Sequence, residues 1–93
     1  MMNEATAQTI ALNVLTWLAG DDDLFAIFMG SSGMSAQELA QRAGEAEVLA
    51  AVLDFVTMDD AWVLRWAEET GGAPTAPMEA RMALPGGAQV NWT

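Results

Sequence analysis

The residues of this chain that could do chemistry are its carboxylates, which cluster at two places. Asp21, Asp22 and Asp23 stand between two apolar stretches, and Asp59 and Asp60 recur in a similar setting. Paired carboxylates can act as acid and base, and clustered ones can bind Ca²⁺ or Mg²⁺. A calcium loop, however, alternates its oxygen ligands with spacers around a glycine turn and closes with a distant glutamate. A bare Asp triplet lacks that pattern, and we predict no metal ligands.

The rest of the catalytic inventory is short, because the chain contains no Cys, His, Tyr or Lys. The usual general base is therefore missing, and so is the usual transition-metal ligand. The stretch Ser31-Ser32-Gly33 has no histidine or lysine to activate a hydroxyl group. Gly86-Gly87 is an isolated pair and does not form a phosphate-binding glycine pattern. We predict no catalytic residues, no cofactor and no cofactor-binding residues, and therefore no enzyme.

The charge balance restricts the partners. Thirteen acidic residues face three arginines, which gives a formal net charge of −10. A nucleic-acid-binding protein needs cations to displace counterions from phosphates, so we expect no direct nucleic-acid binding and no docking on an anionic membrane. The longest uncharged stretch, residues 5–20, is shorter than a spanning helix needs. The N-terminal Met-Met-Asn-Glu lacks the positive region of a secretory signal, and we expect a cytoplasmic protein.

Apolar residues recur at helical spacing along most of the chain, and strand patterns are absent. We predict an all-α, compact orthogonal bundle of five or six short helices. The first covers Glu4–Ala19, the second follows the Asp triplet and stops at Gly30, and the third begins at a Ser35/Glu38 capping box and ends near Gly44.

The second part of the chain predicts three more helices. They cover about residues 45–56, residues 59–69 and a last segment that starts at Thr75 or Ala76, with Pro77 in its first turn. The fourth and fifth could also form one kinked rod. We predict a single helical domain over residues 1–84, with halves at 4–44 and 45–84, and a C-terminal tail over residues 85–93.

The two halves resemble each other at an offset of 38 residues. Residues 14–33 align without a gap on residues 52–71, and five positions are identical: Val14, Leu15, Asp21, Asp22 and Gly33. An internal duplication explains this likeness. The shared demands of amphipathic helices with acidic caps explain it equally well, and both explanations remain open.

The carboxylates recur where one helix ends and the next begins, which suggests their purpose. The first turn of a helix exposes unpaired N–H groups and a partial positive charge, and Asp satisfies both. We predict that Asp21 and Asp59 are N-caps. On the duplication, Arg42 and Arg81 end equivalent helices and should make the same kind of contact, whereas Arg65 matches Ile27 and should have no counterpart.

The aromatic and methionine residues are expected mainly in the core. Trp17, Trp62 and Trp66 stand at helical spacing beside aliphatic residues, although Trp62 and Trp66 could instead form an exposed interface pair. Trp92 either docks on the bundle or hangs free. The methionines near helix ends fill core gaps or, alternatively, form an adaptable binding surface: Met29, Met34, Met58, Met78 and Met82.

Three segments carry a family resemblance: "ALNVLTWLAGDDDLFAIFMGSSG", "LAQRAGEAEVLAAVLDFVTMDD" and "ARMALPGG". Together they resemble a small bacterial family of chains of about this length whose function is unknown. The resemblance covers nearly the whole chain and implies a single-domain, helical, cytoplasmic protein. It implies no catalytic or ligand-binding residues.

These observations favour a non-enzymatic protein-interaction or regulatory module whose partner is another protein, in a chain that is a monomer or a weak homodimer. One alternative is a nucleic-acid mimic that inhibits a DNA-binding protein, for which the acids should converge on one face. We expect them to scatter over several helix starts. Another alternative is a small-molecule-binding protein or an accessory subunit of an enzyme, which would need a pocket.

Overall fold

The computed structural model describes residues 2–85, which form six helices and no strand. This confirms the predicted all-α bundle. The helices are α1 Glu4–Ala19, α2 Asp22–Ser32, α3 Ala36–Arg42, α4 Ala46–Thr57, α5 Asp60–Thr70 and α6 Ala76–Ala83. Within these residues no helix combines the length and apolarity that a membrane crossing requires. Trp92 and the pair Gly86-Gly87 lie outside the described residues.

The helix starts are determined locally by capping side chains. Asp21 accepts a hydrogen bond from the backbone N–H of Leu24 at 3.0 Å, and Asp59 accepts one from Ala61 at 2.9 Å, which confirms both predicted caps. Both bonds of the Ser35/Glu38 capping box are present. Each cap satisfies a backbone donor that the helix leaves free, typically worth about 1 kcal/mol.

Two helices end at a glycine in the left-handed conformation. Gly33 closes α2 with φ 76°, and Gly71 closes α5 with φ 79°. The predicted stop at Gly30 was wrong, because a helix tolerates a single glycine at a cost of about 1 kcal/mol and α2 ends only where the backbone turns left-handed. Helices α4 and α5 are separate, since Asp59 between them is extended.

The core is built around α4, which packs against α1, α2, α5 and α6 and buries seven of its residues. Phe28 meets Phe55 edge-on at 5.3 Å between ring centroids, and Trp62 stacks on Phe55 at 4.8 Å. Trp66 is buried, as predicted for the core, whereas Trp17 and Trp62 pack against the core and remain partly exposed. None of the charged side chains in residues 2–85 is buried.

The two halves agree in their first two helices and differ in the third. Helices α1 and α2 pack as α4 and α5 do, and α1 meets α5 much as α4 meets α2. Helix α6, however, packs extensively against both α1 and α4, and α3 has no comparably extensive contact with any helix. The internal duplication therefore stays a prediction, and the packing of the third helices, α3 and α6, does not agree with it.

This difference makes the predicted equivalence of two arginines wrong. Arg42 pairs with Glu45, three residues later, at 3.0 Å, and more loosely with Glu47 at 3.6 Å. Arg81 instead reaches across to Asp54 on α4 at 2.7 Å. The environments differ because α6 packs extensively on α4, whereas α3 has no comparably extensive contact with any helix.

Candidate partner-binding groove on helix α4

One face of α4 forms the floor of a groove, where Ala51 is half-buried and Ala50 is buried at the edge of the core. Glu47, Ala50, Ala51 and Asp54 recur with the spacing i, i+3, i+4 and i+7, so they share one face of the helix. Two adjoining cavities of ≈ 240 and ≈ 360 Å³ lie along this face and share Glu47 and Ala51 as lining residues. We call this surface the α4 groove; its lining residues are Ser32, Met34, Arg42, Glu47, Val48, Ala50, Ala51, Asp54, Arg81 and Pro85.

The edge formed by α3 carries Met34 and Arg42. Arg42 is the last residue of α3, where a cation suits the negative end of the helix dipole. Its Nε donates to Glu45 Oε1 at 3.0 Å, and its Nη2 lies 3.6 Å from Glu47 Oε1. The Glu47 side chain is 88% exposed and lines both cavities. The middle of the groove therefore presents a solvated carboxylate that is only loosely paired.

The opposite edge is formed by the end of α6. Arg81 Nε donates to Asp54 Oδ1 at 2.7 Å, and the Arg81 side chain is 22% exposed. Its Nη1 is buried and has no hydrogen-bond partner within the described part of the chain. Leaving a buried donor unsatisfied typically costs about 1–3 kcal/mol. Arg81 forms part of the groove wall and links α6 to α4 through its bond to Asp54.

Three exposed methionines lie close in sequence to residues that line the groove, but they are not themselves lining residues. Met78 stands one helical turn before Arg81 on α6 and is 52% exposed, and Met82 follows Arg81 and is 50% exposed. Met58 stands four residues after Asp54 and is 72% exposed. The expectation that these three methionines fill core gaps is wrong, because at least half of each side chain is exposed. The alternative, an adaptable binding surface, stays a prediction.

A family model described as "Protein of unknown function (DUF3572)" matches residues 4–87, and the match spans all six helices. The chain belongs to this family. Comparisons with curated proteins and with solved structures returned no match. The α4 groove of this DUF3572 protein lies entirely within the matched residues.

The DUF3572 fold also ties α5 to α1 through side chains. Trp66 Nε1 donates to Asn13 Oδ1 at 2.9 Å, and Trp17 Nε1 donates to Glu69 Oε1 at 2.7 Å. Arg65 lies over the Trp17 ring, 5.5 Å from its centroid, and pairs with the capping residue of α2. These contacts hold α1 and α5 together, and the polar groups involved are already paired with one another. We therefore assign these side chains a structural role.

Two further recesses are less suited to a partner. A cleft of ≈ 340 Å³ beside Trp66 is lined by neutral residues of α1 and of the segment that joins α5 to α6. An apolar recess of ≈ 160 Å³ separates α3 from the ends of α1 and α2. Neither combines a long helix face with charged groups as the α4 groove does.

The aspartate cluster that first suggested chemistry starts a helix instead. Asp21 is the cap of α2, and Asp22 and Asp23 stand in its first turn. Across residues 2–85 no group of three or more acidic side chains is arranged to hold a metal ion. The groove was missed from the sequence, although the small and polar residues at positions 47, 50, 51 and 54 of an otherwise apolar helix were a visible signal.

Proposed function

We propose that this protein is a cytoplasmic, non-enzymatic protein-interaction module that binds a helix of another protein in the α4 groove. The observation that supports the proposal is the combination of a floor of small residues, of which Ala51 is the more accessible, with exposed methionines at the end of α4 and on α6. An amphipathic helix laid in such a groove would use apolar anchors at i, i+3, i+4 and i+7. Small floor residues allow close approach, and flexible methionines adapt to the partner's side chains.

The available surface is compatible with a partner of ordinary size. A standard interface covers about 800 Å² on each partner. The protein exposes 5249 Å² in total. The α4 groove together with Met58, Met78 and Met82 supplies a centre for such a contact, with charged groups at its rim, which is the usual arrangement of protein interfaces.

The distribution of acids favours this function over mimicry of a nucleic acid. Seven of the thirteen carboxylates have intramolecular partners: Asp21, Glu38, Glu45, Glu47, Asp54, Asp59 and Glu69. They cap helices or pair with arginines and a tryptophan on several different elements. Carboxylates used in this way are poorly placed to imitate the regular phosphate array of a duplex.

The proposal is tested by blocking the floor of the groove with a neutral, bulkier side chain. Ala51→Gln places a longer side chain in both cavities, and Ala26→Gln makes the same change on the exposed face of α2. Each variant and the parent chain serve as bait in lysate of the native cell, after circular dichroism has shown that the helical content is kept.

One stoichiometric partner that is recovered with the parent and with Ala26→Gln, and lost with Ala51→Gln, is the expected result. Met82→Ser should weaken the same complex, because it removes an apolar contact beside the groove without disturbing the core. Equal recovery by all variants would mean that the partner binds elsewhere. Repeated recovery of no partner would count against an interaction function altogether.

A further inference from the structure

The α4 groove contains one weakly paired charge, and it is negative. Arg42 and Arg81 are each held by a short bond to a carboxylate, at 3.0 Å to Glu45 and 2.7 Å to Asp54. Glu47, between them, is 88% exposed and has only the 3.6 Å contact to Arg42. A ligand that enters the groove therefore meets two neutralised arginines and one carboxylate that still has room for a cation.

From this arrangement we infer that the occupant of the groove is a cationic amphipathic helix, with a lysine or arginine against Glu47 and its apolar face against Ala50 and Ala51. The inference rests on the proposed function and adds the chemistry of the partner. The net charge of −10 acts in the same direction, because it attracts a cationic partner over a distance of about a Debye length and speeds the encounter.

Other occupants fit the groove less well. A second copy of this chain carries the same net charge of −10, so self-association brings like charges together. An anionic helix would place its carboxylates against Glu47, and the Nε atoms of Arg42 and Arg81 already donate to carboxylates. Like charges across an interface suppress wrong partners, which makes the groove selective for cationic segments.

The test uses three synthetic helices of about 18 residues, or five turns. They share one leucine- and alanine-rich face and carry lysine, glutamine or glutamate on the polar face. Each peptide is labelled, and its binding to the full chain is followed by fluorescence anisotropy at low and at about 0.15 M ionic strength. We expect the lysine peptide to bind tightest, and we expect its affinity to decrease as salt is added. The Ala51→Gln variant should no longer bind it, whereas the Ala26→Gln variant should bind it as the parent does.

A charge-matched pair of variants separates a local contact from the general field of the protein. Glu47→Gln and Glu68→Gln remove the same charge, but Glu68 lies on the exposed face of α5, outside the groove. Because an exposed ion pair is worth little, Glu47→Gln should weaken the lysine peptide by about 2–5-fold. Glu68→Gln should leave its affinity nearly unchanged, and the glutamine peptide should not distinguish the two variants.

The outcomes distinguish this inference from the proposed function. The glutamine or glutamate peptide could bind with the same affinity as the lysine peptide and lose this binding in Ala51→Gln. That result would support a helix-binding groove and overturn its preference for cations. Equal effects of Glu47→Gln and Glu68→Gln would reduce the preference to net charge and overturn the contact with Glu47. Dimerisation of the parent chain that Ala51→Gln abolishes, measured by sedimentation, would make a second copy the occupant and overturn the inference.

Discussion

Replacing Gly72 by alanine is expected to destabilise the protein, because the added methyl group would enter the ring of Trp66. A Cβ atom placed on Gly72 lies 2.3 Å from Cη2 of that ring and 2.8 and 2.9 Å from Cζ3 and Cζ2. Real Cβ atoms do not approach so closely. Either the loop after α5 or the indole must move.

The indole has little freedom to move. Trp66 is only 3% exposed, and its Nε1 donates to Asn13 at 2.9 Å, so a shift of the ring disturbs both the core and this hydrogen bond. Inserting a carbon into a filled site typically costs about 1–3 kcal/mol. Alanine also restricts the conformations of the unfolded chain, which raises the free energy of unfolding by about 0.4–1 kcal/mol. The expected net loss for Gly72→Ala is about 1–2 kcal/mol.

Urea unfolding followed by far-UV circular dichroism measures this loss, and a thermal scan should show a decrease of about 4–8 °C per kcal/mol for a domain of this size. Gly30→Ala is the matched control, because Gly30 is exposed inside α2 and a Cβ there meets nothing within 4 Å. The control should gain about 0.5–1 kcal/mol from helix propensity. If Gly72→Ala is as stable as the parent while the control behaves as expected, the loop is not packed on the Trp66 ring and the reasoning fails.

Three further predictions follow from the caps and ion pairs. Asp21→Ala removes both the cap of α2 and the partner of Arg65, so it should cost about 1–2 kcal/mol in urea unfolding, and a loss below that of a simple cap would contradict the coupling of the two contacts. Gly33→Ala forces a side chain into the left-handed region and should cost about 1 kcal/mol by the same assay, although a Cβ there has open space; no loss would mean that α2 ends differently. Arg81→Ala should lower the melting temperature more than Arg42→Ala, because Arg81 is less exposed and contacts another helix. The reverse order would contradict the assignment of Arg81 to a wall of the groove.

Local features of the fold could be predicted because they depend on few neighbours. The bounds of α1 were predicted in full, and so were the caps at Asp21 and Asp59 and the capping box at Ser35. Each is determined by a side chain and a backbone group within three residues. The predicted helix end at Gly30 was wrong, because the neighbours of Gly30 allow the helix to continue. The helix ends three residues later, at Gly33.

Features that depend on the arrangement of distant helices could not be predicted. The likeness of the two halves suggested that α3 and α6 are equivalent, but α6 is placed by its contacts with α1 and α4 together, and no short stretch of sequence encodes both. The α4 groove depends on that placement, since Arg81 and Pro85 form one of its walls. The sequence could therefore indicate the floor of the groove and not its sides.

The position of α6 between the first and fourth helices has a consequence for synthesis on the ribosome. Helix α1 emerges first, and its most extensive contact is with α6, the last helix of residues 2–85. Residues 20–83 must be added after α1 before α6 is complete, which at about 5–20 residues per second takes roughly 3–13 s. During this interval the part of α1 that α6 covers has no partner, although α2 and α4 can already pack on the rest of its apolar face. Holdase chaperones therefore have this interval in which to bind the uncovered surface of α1, and a chain truncated before α6 would keep that surface exposed.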